Sequence, residues 1–306
     1  MTVAIIIPCL NEEAAIGRVV TDFRQALPEA TIYVFDNHSD DQTREVALKA
    51  GAQVRTVAAR GKGNVVRRMF ADIEADAYVM VDGDATYDAK AAAEMINTLI
   101  DGHLDMVVGC RVEDSSAAYR AGHASGNRLF NGFLSLLFSR PCRDIFSGYR
   151  VFSRRFVKSF PAQATGFETE TELTVHALEL NMPIGYCDTR YGVRPEGSSS
   201  KLSTYRDGWR ILMMMLRLFR MARPFAFFLL IGIGLVSCAL ALSIPIFMTY
   251  LDTGLVPRIP TAILATGLVL LGALSAFSGL VLDTVAHGRR EAKMLAYLSI
   301  PHDPVA

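Results

Sequence analysis

Apolar positions follow two different rules along this chain. Up to about residue 110, short runs rich in Val, Ile and Tyr alternate with segments of helical period. "VAIIIP" precedes "EEAAIGRVVTDFRQAL", "TIYVFDN" precedes "DDQTREVALKAG", and "AQVRTVA" precedes "GNVVRRMFADIEA". "AYVMVDGD" then precedes "AKAAAEMINTLIDG", and "DMVVGCR" closes the series. Strands that are apolar throughout, set between amphipathic helices, are covered on both faces. They predict an α/β fold with a mostly parallel central sheet flanked by helices. Ligands of such sheets bind beyond the carboxyl ends of the strands. Asn11, Glu12, Glu13, Asp36, Asn37, Asp40, Asp82, Asp84 and Arg111 gather at those predicted ends.

Residues 111–200 are less regular. "GNRLFNGFLSLLFSR" and "FETETELTVHALEL" read as helices, "DIFSGYRVFSRR" as a turn into a strand, and "PIGYCDTRYGVRP" as a further strand. A small polar loop, "EGSSSKLSTYRDG", follows.

The second regime is continuous apolarity. Phe225 to Tyr250 and Ile259 to Leu282 contain no charged residue, and each run exceeds the roughly 20 residues that cross a bilayer as a helix. Before them, "YRDGWRILMMMLRLFRMAR" mixes large apolar groups with arginines, the signature of an interfacial amphipathic helix. Arg217, Arg220 and Arg223 precede the first run, and Arg289, Arg290 and Lys293 follow the second. By the positive-inside rule, both ends lie in the cytoplasm. The predicted organisation is a cytoplasmic α/β domain over 1–204, a juxtamembrane amphipathic helix over 205–223, and a transmembrane hairpin over 224–288. The two spans cover about 225–250 and 259–284, and a cytoplasmic tail runs over 289–306. This predicts a two-span protein of the inner or plasma membrane with its α/β domain cytoplasmic.

Composition agrees. The chain is 51% hydrophobic, and its net charge of +0 leaves no electrostatic footprint for nucleic acid. Five cysteines stand far apart without a CxxC, as in a reducing compartment. The N-terminus lacks the basic and long apolar regions of a signal peptide.

"VDGDATYD" carries the sharpest chemistry. Asp82 and Asp84 stand at i and i+2, so along a strand they face one way, with Gly83 allowing close backbone approach. Two such carboxylates suit a hard cation, Mg²⁺ or Mn²⁺, bridging to substrate phosphates. Asp and Gly are also ordinary turn formers, so the stretch alone leaves both readings open. Asp88 is expected to cap the next helix.

Taken in order, "IIIPCLNEE", "FDNHSDDQT", "RGKGN" and "VDGDATYD", continued by "GCR", "DIFSGYR" and "RPEGSSSK", resemble family 2 glycosyltransferases of the GT-A fold over about residues 3–204. The resemblance is nearest to the branch that includes dolichyl-phosphate mannose synthases and their membrane-anchored bacterial relatives. It implies inverting transfer of one sugar from a nucleotide diphosphate sugar, uridine rather than guanosine, to polyprenyl phosphate. It also implies a homotetramer. Pro8, Asn11, Glu12 and Asp36 would surround the nucleoside, and Gly61, Lys62 and Gly63 would add contacts to the nucleotide. Asp82, Gly83 and Asp84 would hold metal and diphosphate. Arg111 and Arg128 would bind the acceptor phosphate. Asp144, Ser147 and Glu170 would face the sugar with Arg150 in support, and Arg194 and Lys201 would clamp the donor phosphates. The implied catalytic set is Asp84, Arg111, Arg128 and Asp144.

Three departures stand out. Thr86 occupies a position where many relatives carry Gln, Gly132 one where relatives often carry Ser, and the "RPEGSSSK" element has one extra Ser. The six histidines show no zinc spacing. A processive polysaccharide synthase of the same superfamily would bring a QxxRW-type motif and more spans, whereas the single Trp209 lies in "DGWRI". A dinucleotide-dependent oxidoreductase would show GxGxxG after the first strand, where this chain has "PCLNEEAAIG". The retained acids, arginines and lysine argue against a non-catalytic membrane adaptor.

Overall fold

A computed structural model describes residues 1–113, 123–166, 168–192 and 204–301. The elements in chain order begin β1 (Val3–Cys9), α1 (Glu13–Ala26), β2 (Thr31–Asp36), α2 (Thr43–Lys49), β3 (Gln53–Thr56) and α3 (Lys62–Asp72). Next come β4 (Ala77–Met80), α4 (Ala91–Asp101), β5 (Met106–Glu113), α5 (His123–Phe138), β6 (Arg150–Ser153) and α6 (Arg154–Ser159). The series ends with α7 (Thr169–Glu179), β7 (Ile184–Tyr191), α8 (Thr204–Ala222), α9 (Pro224–Thr253) and α10 (Ile259–Leu298). Two compact units result: Met1–Gly208 with Lys293–Ala306, and Trp209–Ala292.

The first unit is built on a seven-stranded sheet of order β3-β2-β1-β4-β6-β5-β7. β1 pairs in parallel with β2 and β4, β2 with β3, and β5 with β7. β6 alone runs antiparallel, between β4 and β5. Apolar residues on consecutive positions are what a doubly covered sheet requires, because successive side chains leave on opposite faces. Ala4 and Ile6 enter one core with Val66, Met69 and Phe70 of α3, Phe156 of α6 and Leu173 of α7. Ile5 and Ile7 enter the other with Ile16, Val20 and Phe23 of α1 and Met95 and Leu99 of α4. Burying each such side chain contributes on the order of 1.5–3 kcal/mol. The sheet is therefore a rigid base for the loops at its carboxyl ends.

Residues from 289 onward, expected as a tail, remain helical through Leu298. Met294 and Tyr297 pack against the first core. Tyr297 donates to Asp105 Oδ2 at 2.8 Å, and Lys293 Nζ lies 2.7 Å from Glu179 Oε2. Asp105 is fully buried, and it also accepts from Ser153 Oγ and from Nε and Nη2 of Arg155. A buried carboxylate needs such partners, and Tyr297 supplies one from the chain's far end.

In the second unit, α9 and α10 are long and apolar enough to cross a membrane, with mean hydropathies of 2.6 and 2.0 over their most apolar windows. Their large apolar residues are mostly exposed. Buried positions recur at seven-residue intervals: Gly232 and Ala239 on α9, and Ala265, Gly272, Gly279 and Ala286 on α10. Small residues let apolar helices approach closely. A Cβ on Gly232 would stand 2.8 Å from Gly272 O, and Ser275 Oγ donates to Phe228 O at 2.8 Å. α8 coincides with the expected amphipathic segment: Trp209, Leu212, Met213 and Leu216 are exposed together with Arg217 and Arg220.

Candidate active site

The loops after β1, β2 and the segment before α3 are laced together. Asn11, in the left-handed region at φ 54, accepts from Asp40 N through Oδ1 at 2.9 Å, and its own N–H reaches Ser39 Oγ at 2.9 Å. Glu12 N donates to Thr43 Oγ1. Asp36 is buried and accepts from Ser39 N at 3.3 Å. Pro8 pairs with Phe35 across β1 and β2. Asn37 ties the floor together: its Oδ1 accepts from Gly61 N at 2.7 Å while Nδ2 donates to Val57 O and Ala59 O.

The "RGKGN" stretch starts α3, and its glycines answer a packing demand. A Cβ on Gly61 would collide with Thr165 O, and one on Gly63 with Ala164 O. The 161–166 segment thus lies directly on the helix start. Arg67 donates to Ala162 O at 2.8 and 2.6 Å, and Glu172 accepts from Gln163 N and Ala164 N at 2.9 Å each. Between the glycines, Lys62 sends Nζ to 2.5 Å from both Asp82 Oδ1 and Glu170 Oε1. Burial alone would lower the Lys62 pKa; the two carboxylates outweigh it and hold the ammonium above the ordinary lysine value.

Beyond β4, Asp84 is buried, and Thr86 clasps its Oδ1 with Oγ1 at 2.6 Å and N at 3.2 Å. Ala85 takes φ 56 to make that turn. Thr86 therefore orients the acid beside it. A Cβ on Gly83 would stand 2.6 Å from Cys9 Sγ, so the glycine lets the acidic turn sit flat on β1. Burial raises the Cys9 thiol well above its ordinary pKa, helped by the charges of Glu12, Asp36, Asp82 and Asp84, so it is an inert spacer. Asp88 does not cap α4; its carboxylate accepts from Lys90 N at 3.0 Å in a turn before the helix begins at Ala91.

The "DIFSGYR" turn closes against these acids. A Cβ on Gly148 would collide with the Asp82 carboxylate, and Gly148 N donates to Tyr87 Oη at 2.9 Å. The Tyr87 ring meets those of Tyr149 and Tyr191 at 5.4 and 5.2 Å. Asp144, at φ 43, receives Arg111 in a fork, from Nε at 2.8 Å and Nη2 at 2.6 Å, and from the Arg111 backbone N–H at 2.9 Å. The Arg111 guanidinium also lies 5.4 Å from the Tyr191 ring centre. The arginine expected at the acceptor and the acid expected at the sugar are thus one ion pair. Ser147, expected at the sugar, is turned into the protein. It is fully buried and its hydroxyl is spent on Gly109 O at 2.6 Å. Arg150 supports the turn from within, donating to Ser147 O, Ile145 O and Thr174 Oγ1. The Arg128 side chain, Arg194 and Lys201 lie outside the described residues.

Comparison with known proteins decides the lineage. The sequence model described as "Glycosyl transferase family 2" matches residues 4–160. The chain belongs to glycosyltransferase family 2. Glycosyltransferase AglJ of Haloferax volcanii is 34% identical over 81% of this chain and 81% of its own. The dolichyl-phosphate hexose transferase of the same organism is 27% identical over 67% of this chain and 88% of its own. Among solved structures, glucosyl-3-phosphoglycerate synthase from Mycobacterium tuberculosis, in complex with Mn²⁺ and UDP-glucose, shares the fold. Its TM-score is 0.55 at 22% identity, covering 71% of this chain and 78% of that one. This family 2 glycosyltransferase carries Lys62, Asp82, Asp84, Arg111 and Asp144 inside the matched stretch, with Glu170 beyond it. Sequence reasoning gave no site role to Tyr87, Asn37 or Glu172, although Asn37 was placed at a predicted strand end. Tyr87 was visible inside "VDGDATYD", but nothing local signals that its hydroxyl meets a backbone N–H 61 residues away.

Proposed function

We infer that this glycosyltransferase moves one sugar from a nucleotide diphosphate sugar, a uridine one by resemblance, to polyprenyl phosphate at the cytoplasmic face of a membrane. The product would be a lipid-linked sugar for envelope glycans or glycoconjugates. The observation that carries the reading is the meeting of the Asp82–Lys62–Glu170 set and the Arg111–Asp144 pair around Gly148 and Tyr87, beyond the carboxyl end of β4. Two long apolar helices in the same chain, and the name of the Haloferax dolichyl-phosphate relative, favour a lipid acceptor.

The residues fit a divalent cation. Asp82 and Asp84 offer an all-oxygen pair at one strand end, and Thr86 already orients Asp84. No group of three His, Cys, Asp or Glu gathers among the described residues. The remaining positions of a hard ion would fall to diphosphate and water, which is how Mg²⁺ is usually held at substrate phosphates. The solved relative binds Mn²⁺ with its UDP-glucose. Bound between the acids, the ion would supply positive charge to the departing diphosphate.

The chain's own residues supply the rest. Asp36, Asn11 and Glu12 line the first two loops, where a nucleoside would lie. A phosphate monoester carries about −1.5 to −2 charges at neutral pH, so the acceptor oxygen is already a nucleophile. Arg111, held in place by Asp144, would orient that oxygen toward the anomeric carbon. The acceptor oxygen–carbon bond forms as the carbon–diphosphate oxygen bond breaks, and the nucleoside diphosphate leaves with the electron pair. A single displacement inverts the anomeric centre. Purified protein given Mn²⁺, a panel of nucleotide sugars and a short polyprenyl phosphate should make an inverted lipid-linked sugar. Transfer only to water or to soluble acceptors would refute the lipid assignment.

A further inference from the structure

Lys62 stands in an unusual place for the cation of a substrate-binding loop. Its ammonium is not presented to solvent: the side chain is 12% exposed and both of its close partners are acids of the site. Glu170, on α7, is itself buried and contributes nothing to the backbone scaffold through its carboxylate other than this contact among the bonds described. The partner that matters most is Asp82, which the proposed ion must also use. A divalent ion of the Mg²⁺ class sits about 2.0–2.1 Å from its oxygen ligands, and Lys62 Nζ already occupies a position 2.5 Å from Asp82 Oδ1. Two cations crowded on one carboxylate repel each other, so one must yield.

The packing decides which. Asp82 is pressed by Gly148, where a single Cβ would collide with the carboxylate. The backbone of Lys62 is equally confined, between two glycines that lie against Thr165 O and Ala164 O. What remains free to move is the four-carbon stem of the lysine, the most rotatable group in the set. Glu170 offers the ammonium a second anchor while it turns.

We propose that Lys62 is a resident counter-ion, neutralising Asp82 until a divalent cation displaces its ammonium, which then pivots on Glu170 toward the donor diphosphate. This rests on the assignment of the metal to Asp82 and Asp84 above. Entry of the ion and capture of the donor are thereby coupled. The metal is opposed by Lys62 in the absence of nucleotide and helped by it once a diphosphate is present to receive the displaced charge. The reciprocity of linkage requires both effects to share one origin.

The test is a Mn²⁺ titration of the full-length protein in detergent, followed by electron paramagnetic resonance of the free ion, with and without uridine diphosphate. Lys62→Gln should bind Mn²⁺ alone more tightly than wild type, by about tenfold for the loss of one opposing charge. The same variant should lose most of the gain in Mn²⁺ affinity that uridine diphosphate gives the wild type. Lys62→Arg, which keeps the charge, should stay close to wild type in the absence of nucleotide and guards against a mere folding defect. Unchanged or weaker Mn²⁺ binding in Lys62→Gln, with its melting temperature retained, overturns the inference. Should Lys62→Gln melt early, Glu170→Gln provides the same test, because it leaves Lys62 with Asp82 alone. Mn²⁺ should then bind more weakly than in wild type, and equal or tighter binding overturns the inference. Asp84→Asn separates the two levels. Mn²⁺ binding that survives it refutes the metal assignment itself, whereas binding that needs Asp84 but ignores Lys62 refutes only the counter-ion role.

Discussion

A single methyl group at Gly148 should disable the enzyme while leaving it folded. Built on the observed backbone, the Cβ of Gly148→Ala would stand 2.7 Å from Asp82 Cγ and 2.9 Å from Asp82 Oδ1. Ordinary carbon contacts lie near 3.5–4.0 Å, so the carboxylate must retreat by about 1 Å. Its 2.5 Å contact with Lys62 goes with it. The overpacking costs about 1–3 kcal/mol of stability, and a 1 Å misplacement at the reacting centre costs about 10²-fold in rate, equivalent to about 2.7 kcal/mol of barrier. Differential scanning fluorimetry and initial rates of sugar transfer measure the two effects separately. A melting temperature lowered by about 2–4 °C per kcal/mol, with transfer down by about two orders of magnitude, is the expected pair of results. Gly288→Ala is the control. Nothing lies within 4 Å of its added methyl, so it should gain about 0.5–1 kcal/mol from the lost helix glycine at unchanged rate. Transfer by Gly148→Ala within threefold of wild type would refute the placement of Asp82 in the site.

Three further outcomes follow from the same geometry. Tyr87→Phe removes the acceptor of Gly148 N at 2.9 Å, should cost about 1–3 kcal/mol for the orphaned donor, and should slow transfer more than it weakens donor binding; calorimetric donor titration beside initial rates checks this. His176 is buried against Phe156 and Phe160. Burial first, and the Lys293 charge second, lower its pKa from 6.5 to about 3. The unfolded chain therefore takes up the proton first, and the stability held above pH 6.5 drains away as pH falls toward 3. The loss is about 2 kcal/mol at pH 5 relative to pH 8, and denaturant titrations of His176→Gln should lack this share. In the hairpin, Gly272→Leu would drive a side chain into Val236 and Gly232 O, 2.9 and 3.0 Å from its Cβ. It should lower the melting temperature in detergent, whereas Gly267→Ala, with open space at its Cβ, should not.

Much of the first unit was readable because its strands are covered on both faces. Ile5, Ile6 and Ile7 can be consecutive only where each side of the sheet is a core. The antiparallel β6 was not readable: "RVFS" is buried at every position, its Arg and Ser included, and four residues buried on both faces carry no sign of direction. Acid positions followed from their place after strands, but their partners did not. Arg111 and Asp144 are 33 residues apart, and only the fold shows that the cation expected to meet a phosphate is already forked onto a carboxylate. Gly61 and Gly63 stood out as a candidate nucleotide loop, but the sequence did not show that their missing side chains also make room for Ala164 and Thr165. Ser147 carried a family role in its motif, yet its turn consumes the hydroxyl. The seven-residue spacing of small residues in α9 and α10 was present in the sequence throughout, masked by the uniform apolarity around it.

In the function proposed, Asp82 and Asp84 anchor a metal-bound donor for transfer to a lipid phosphate. Formation of polyprenyl-phosphate-linked sugar by full-length protein, measured with Mn²⁺ for wild type and Asp84→Ala and again for wild type in EDTA, tests it most directly. Wild type should make product only when metal is present, and Asp84→Ala should fold, stay in the membrane fraction and make none. Undiminished lipid-linked product from Asp84→Ala, or from wild type in EDTA, would contradict it.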